Sequence, residues 1–218
     1  MFRTAKEYWG SGTFGDDIVS AALAGTGAYA GKKDILRKEV AVKSSAYNVA
    51  GMYAIHEMED AIVDCRTGNA ATPVVPDGGV HAWDEAVAFY AGSLEGTAAG
   101  GNTAGVMFYR LAEKRCANYG TCTGPGGMSK VNANIMAAFD AGKAALLVGN
   151  CAGGAVQMDI IKKQMLVPLV QGTLRYAYKA DPVNKDPEPA KEIGEGWAFA
   201  AFTAWMVRGN ALRARAPS

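Results

Sequence analysis

Apolar residues recur every three or four positions along most of this chain, the period of helices that bury one face. Tyr47, Gly51, Ala54, Met58, Ala61 and Cys65 form one such stripe, which stops at Gly68. Val80, Trp83, Val87 and Tyr90 form a second. Another helix is expected over FGDDIVSAALAGTG, where Asp16 and Asp17 suit an N-terminus and Gly25 and Gly27 end it. The pattern places one or two helices in 32–68 and others in 80–96, 106–120, 130–149, 155–180 and 193–209, with a kink or interruption at Pro168. The connections are NAATPVVPDGG, TAAGGNTAG, GPGGMS and the proline-rich DPVNKDPEPAKE.

Strand signals are nearly absent, with no Asn-Gly or Asp-Gly turn between alternating apolar runs, and there is no fixed-period repeat. The 27 glycines sit mainly between helices. The expected fold is all-α: a single-domain bundle of about six to eight helices over 1–218, with frayed termini that include RGNALRARAPS. The 218 residues suffice for one domain with a real core, or for a two-lobed domain.

A formal net charge of +1 argues against a nucleic-acid binder or a membrane-surface binder acting through bulk charge. No apolar run reaches the roughly 20 residues needed to span a bilayer, so no direct membrane insertion is expected. The N-terminal MFRTAKEYWGSGTFGDD lacks the apolar core of a signal peptide, which by itself suggests a cytosolic protein or a mature or truncated chain. The four cysteines point the other way. Cys116 and Cys122 flank ANYGT and could close a small loop, leaving Cys65 and Cys151 as a long-range pair. Three connectivities are open, as are four reduced core thiols. No C-x-x-C spacing suggests structural zinc.

Both histidines sit in the same pattern, HEMED at 56–60 and HAWDE at 81–85. Positions three and four apart share a helix face, so each segment offers an imidazole and two carboxylates to one point. That N/O donor set suits iron, manganese or zinc. Asp64 extends the first row through His56 and Asp60. Antiparallel pairing of the two helices across the proline-rich loop would let the clusters face each other, as in carboxylate-bridged helical bundles. Those bundles order the motif Glu-x-x-His, however, and here the His comes first. The competing account is a solvated helix face with a hydrogen-bonded His.

Other chemistry is thinly signalled. Asp16 with Asp17, Glu57 with Asp60, or Glu113 could supply acid/base carboxylates. No G-x-S-x-G elbow is present, and GPGGMSK lacks phosphate-loop spacing. GNCAGG around Cys151 reads as a small-residue helix end. Arg175, between tyrosines in QGTLRYAY, could hold carbonate or a carboxylate beside a metal, or could stack on Tyr and pair with Glu113 or Glu195.

Five segments, YNVAGMYAIHEMEDAIVDC, VHAWDEAVAFYAGSLEG, LAEKRCANYGTC, QMLVPLVQGTLRYAY and GEGWAFAAFTAWMV, together resemble the iron-assimilating, low-iron-inducible periplasmic proteins of algae, from about Tyr8 to Val207. The resemblance implies a secreted or surface protein that assists iron uptake when iron is scarce, and it strengthens the disulfide reading. It brings no ligand set with it. The matching positions are Glu57, Glu59, Asp60, Asp64, His81, Asp84, Glu85, Glu113 and Glu195, with His56 as an auxiliary.

The expectation is therefore a periplasmic or extracellular, non-catalytic carrier of Fe(III) or Fe(II), with a carbonate-type anion as a candidate second ligand. Glu57, Asp60, Asp64, His81, Asp84 and Glu85 are its candidate ligands, and a membrane iron-uptake protein or a surface assembly its candidate partner. The alternative is a structural or interaction protein whose acids pair with Arg37, Arg110, Arg115 and Arg175. A di-metal oxidase would need both clusters to share one site, with metals ~3.5–4 Å apart.

Overall fold

A computed structural model describes residues 2–68, 78–98, 104–124, 126–181, 183 and 189–213, with side chains from residue 6 to residue 207. The described residues are all-α, as the periodicity indicates, with one isolated bridge pairing Cys122 and Ser129. The helices are α1 (Phe2–Trp9), α2 (Phe14–Ala24), α3 (Asp34–Ser44), α4 (Gly51–Arg66), α5 (Gly79–Ala91), α6 (Phe108–Tyr119), α7 (Lys130–Leu147), α8 (Cys151–Ala180) and α9 (Ala190–Arg213). The prolines of the 69–77 and 184–188 connections lie outside the described residues.

The chain divides into two compact units, Met1–Val49 with Leu169–Ser218, and Ala50–Pro168. Both divisions fall within helical stretches. The first falls in a π-helical segment, Ser45–Ala50, that joins α3 directly to α4, so the expected one or two helices form a single helical run with an insertion. The second falls at Pro168. Helix α8 passes through this proline without interruption, contrary to a break there. A proline inside a helix costs one backbone hydrogen bond and a clash with the preceding turn, yet this helix runs 30 residues through it. At the C-terminus α9 continues to Arg213, so most of the basic RGNALRARAPS segment is helical. GNCAGG is a helix beginning: the Asn150 side chain accepts from the Gly153 N–H at 2.9 Å and caps the first turn of α8.

In the unit formed by both ends of the chain, Leu36, Val40 and Ala41 of α3 pack with Ala22 of α2 and Ile193 of α9. Helix α9 approaches so closely that a Cβ on Gly194 would lie 2.5 Å from the Leu36 carbonyl oxygen. An aromatic row continues this core, with Phe199 stacked between Tyr47 and Tyr176 at 5.2 and 5.6 Å. Asn48, in the π-helical segment, donates to Ser44 Oγ and to the Ala198 carbonyl.

The central unit is built on aromatic packing. Trp83 and Tyr90 of α5 are fully buried, both against Phe139 of α7, and Trp83 Nε1 donates to the Phe139 carbonyl at 2.9 Å. The expected stripe Tyr47–Cys65 is buried at every position, and Val80, Trp83 and Tyr90 are as well. Val87 is half-buried, and Ala86 takes the inward position. Buried Glu95 caps α6 from outside the helix, its two oxygens accepting from the Met107 and Arg110 N–H groups at 2.6 and 2.7 Å. A carboxylate there satisfies orphan donors and faces the positive end of the helix dipole. Gly105 makes room for it, since a Cβ there would sit 1.8 Å from Glu95 Oε1.

Two disulfides are present, Cys116–Cys122 and Cys65–Cys151, separated by 6 and 86 residues. The second ties the end of α4 to the start of α8. Loop-closure entropy scales with the logarithm of loop length, giving about 2 kcal/mol for the short clip and about 4–5 kcal/mol for the long one. Urea denaturation should therefore show Cys65→Ala/Cys151→Ala losing roughly 2 kcal/mol more stability than Cys116→Ala/Cys122→Ala; equal losses would contradict this ranking. Gly142→Ala supplies a second check. Alanine ordinarily favours a helix, but a Cβ here would lie 2.1 Å from the buried Trp83 ring. Overpacking should destabilise the variant by about 1–3 kcal/mol, read from tryptophan fluorescence in urea.

Candidate functional site

Helices α4 and α5 pack antiparallel, the arrangement that facing clusters would require. Tyr53 meets Phe89 at 5.3 Å near one end of the pair. Near the other, Gly79 lies against the Ala61 carbonyl, where a Cβ would come within 2.7 Å. This register sets Glu57 opposite Glu85, close enough for the two charges to act on each other. Burial, then the Glu85 charge, pushes the Glu57 carboxyl above its ordinary range; Asp60 adds to the rise and His56 opposes it.

An imidazole flanks each side. His56 Nε2 lies 3.3 Å from Asp60 and His81 Nε2 lies 3.3 Å from Glu85, one turn along each helix. His56, Asp60, His81 and Glu85 retain between a third and a half of their side-chain exposure, so the row is open to solvent. Tyr53 sets its ring edge-on to His56 at 5.8 Å.

The other candidate acids turn elsewhere. Both oxygens of Asp84 accept from Lys143 of α7, at 2.9 and 2.7 Å. Glu59 accepts from the buried Lys162 of α8 at 2.9 Å. Burial raises the Glu59 pKa and the Lys162 charge lowers it, with a net depression below the usual carboxylate range. Asp64 is half-buried near the start of α5, its Cβ 3.4 Å from where a Gly79 Cβ would stand. Among the described residues, no group of three or more His, Cys, Asp or Glu side chains is arranged to hold a metal ion.

Arg175 belongs to the unit formed by the chain ends and is half-buried. Glu113 accepts from the Ser129 N–H and from Asn132 Nδ2, and Glu195 pairs with Lys43 at 3.2 Å. Arg37 pairs with Asp34 at 2.7 Å. Arg37 thus does meet an acid, and Glu59, Asp84 and Glu195 meet lysines. Lys162 was legible as a lone cation on the apolar face of α8, between Met158, Ile161 and Met165. Lys143 gave no such signal.

A family profile described as low iron-inducible periplasmic protein matches residues 8–216. The chain belongs to that family. No curated protein and no solved structure matches it. Among the described residues, no helix of this family member is long and apolar enough to cross a membrane.

The contact between Glu57 and Glu85 has a measurable signature. Because the Glu57 pKa is raised, protonation of Glu57 stabilises the fold at acidic pH. That contribution is lost as pH rises through the Glu57 pKa, where the Glu57 carboxylate meets the Glu85 charge. Glu85→Gln should therefore lower the Glu57 pKa, followed by carboxyl-carbon NMR. It should also raise Tm at pH 7 relative to wild type, with a smaller gain at pH 4. A larger gain at pH 4 would contradict the contact.

Proposed function

We propose that this protein binds iron as cargo during iron assimilation outside the cytoplasm, without catalysing a reaction, and that the α4–α5 face is where iron is held. The observation that carries this reading is the facing pair Glu57 and Glu85, with His56 and Asp60 on one side and His81 on the other. The raised Glu57 pKa marks a place where negative charge is crowded, and a cation bound there relieves the crowding. Carboxylate oxygen is the donor suited to Fe(III). So few convergent protein ligands leave coordination positions for water or a carbonate-type anion, a fit to cargo that must be released. The family's induction by low iron agrees with such a role. A membrane uptake protein is the partner this role calls for.

The structural alternative has its own support. Glu59 and Asp84 are committed to Lys162 and Lys143, contacts that fasten α4 to α8 and α5 to α7. Those two acids are assigned to packing; Asp64 lies beyond this row beside Gly79, and the iron set narrows to His56, Glu57, Asp60, His81 and Glu85. Calorimetric titration with Fe(III)–citrate and with Fe(II) separates the readings. Wild type and Asp84→Asn should bind saturably, and Glu57→Gln/Glu85→Gln should bind at least about tenfold more weakly. Absence of saturable binding in wild type with helical content intact would sink the carrier reading.

A further inference from the structure

The central unit contains a second polar feature, distant in sequence from the α4–α5 face. A cavity of about 640 Å³ opens between the last turns of α6 and the glycine-rich loop that follows, lined by Glu113, Lys114, Cys116, Cys122 and Gly120, Gly124, Gly126 and Gly127. Glu113 is held there by one oxygen. Its Oε1 accepts from the Ser129 N–H at 3.0 Å and from Asn132 Nδ2 at 2.6 Å. Asn132 is in turn fixed by donating to the Tyr109 carbonyl at 2.9 Å and by accepting from the buried Tyr90 hydroxyl. Both of these bonds fall on Oε1, and the half-buried Glu113 side chain lines the cavity.

We propose that this cavity binds an organic cation, an ammonium or guanidinium group, on Glu113 Oε2. Three features converge on that chemistry. A carboxylate pre-oriented by two donors presents charge without having to be ordered on binding. The cavity lies at the C-terminal end of α6, where the helix dipole is negative and favours a cation. Its volume exceeds what a bare metal ion needs and accommodates a guanidinium with part of its stem. Glycine at Gly127 keeps the wall thin, since a Cβ there would come within 2.5 Å of Thr123 Oγ1. The Cys116–Cys122 disulfide closes the loop that forms this wall. Lys114 opposes the charge of the ligand from the lining, so it limits affinity.

The test uses the full-length oxidised protein and arginine amide, which carries no competing carboxylate, followed by NMR chemical-shift perturbation. Saturable shifts are expected at Ser129, Asn132 and the loop glycines. Glu113→Gln is the informative variant, because its amide oxygen can still accept from Ser129 and Asn132 while the presented charge is lost. Binding should fall by on the order of tenfold or more in Glu113→Gln and rise in Lys114→Gln. A peptide with a central arginine, added in parallel, distinguishes the source: tighter binding than the amide assigns a protein partner, and equal binding a free small cation. No saturable shift in the wild type, or undiminished binding in a folded Glu113→Gln variant, would overturn the proposal.

Discussion

The close approach of α4 and α5 is the constraint on which the candidate site depends. Gly79 permits it, because any side chain there would strike the Ala61 carbonyl. At that separation, the side chains midway along the pair are forced into contact, and the sequence puts a glutamate on each helix at that height. A pair of carboxylates would be separated at little cost on two loosely packed helices. Here the burial of Ile55, Met58, Ala61 and Trp83 holds the helices together and the acids with them. Hydrophobic packing thus imposes an electrostatic cost of the kind commonly found where proteins act.

Elsewhere the same unit gives partners to two of its buried charges. Lys162 is almost fully buried and meets Glu59, and Glu95 is buried and meets two backbone donors. Leaving either group without a partner would cost more than the pair gains, so these residues are fixed by the fold. The row from His56 to Glu85 differs in being solvated, with an imidazole beside Asp60 and another beside Glu85. That contrast separates acids that build the protein from acids that present charge outward.

Much of this was legible in the sequence. The stripe from Tyr47 to Cys65 announced α4 and its inward face, because burial on a helix leaves a period that survives without knowledge of partners. The HEMED and HAWDE spacings correctly placed each His one turn from an acid. What the sequence could not carry was the direction of each acid across the helix pair. Asp84 and Glu85 are neighbours in the chain, yet one turns to Lys143 and the other to Glu57. A rotation of 100° per residue decides that, and it depends on which helices pack on either side. The π-helical insertion at Ser45–Ala50 was hidden for a related reason: it adds a residue to a turn without interrupting the apolar pattern.

The cap on α6 bears on how this part of the chain comes together. Its first N–H groups are satisfied by Glu95, 12 and 15 residues upstream of the donors. No residue of α6 itself supplies that function, since Met107 at the N-cap offers no oxygen in its side chain. The helix therefore cannot acquire its full stability as an isolated segment; its beginning forms only when the chain ahead of it has looped back. Amide exchange in the opening turn of α6 consequently reports the closure of that loop, and the two would open as one cooperative unit.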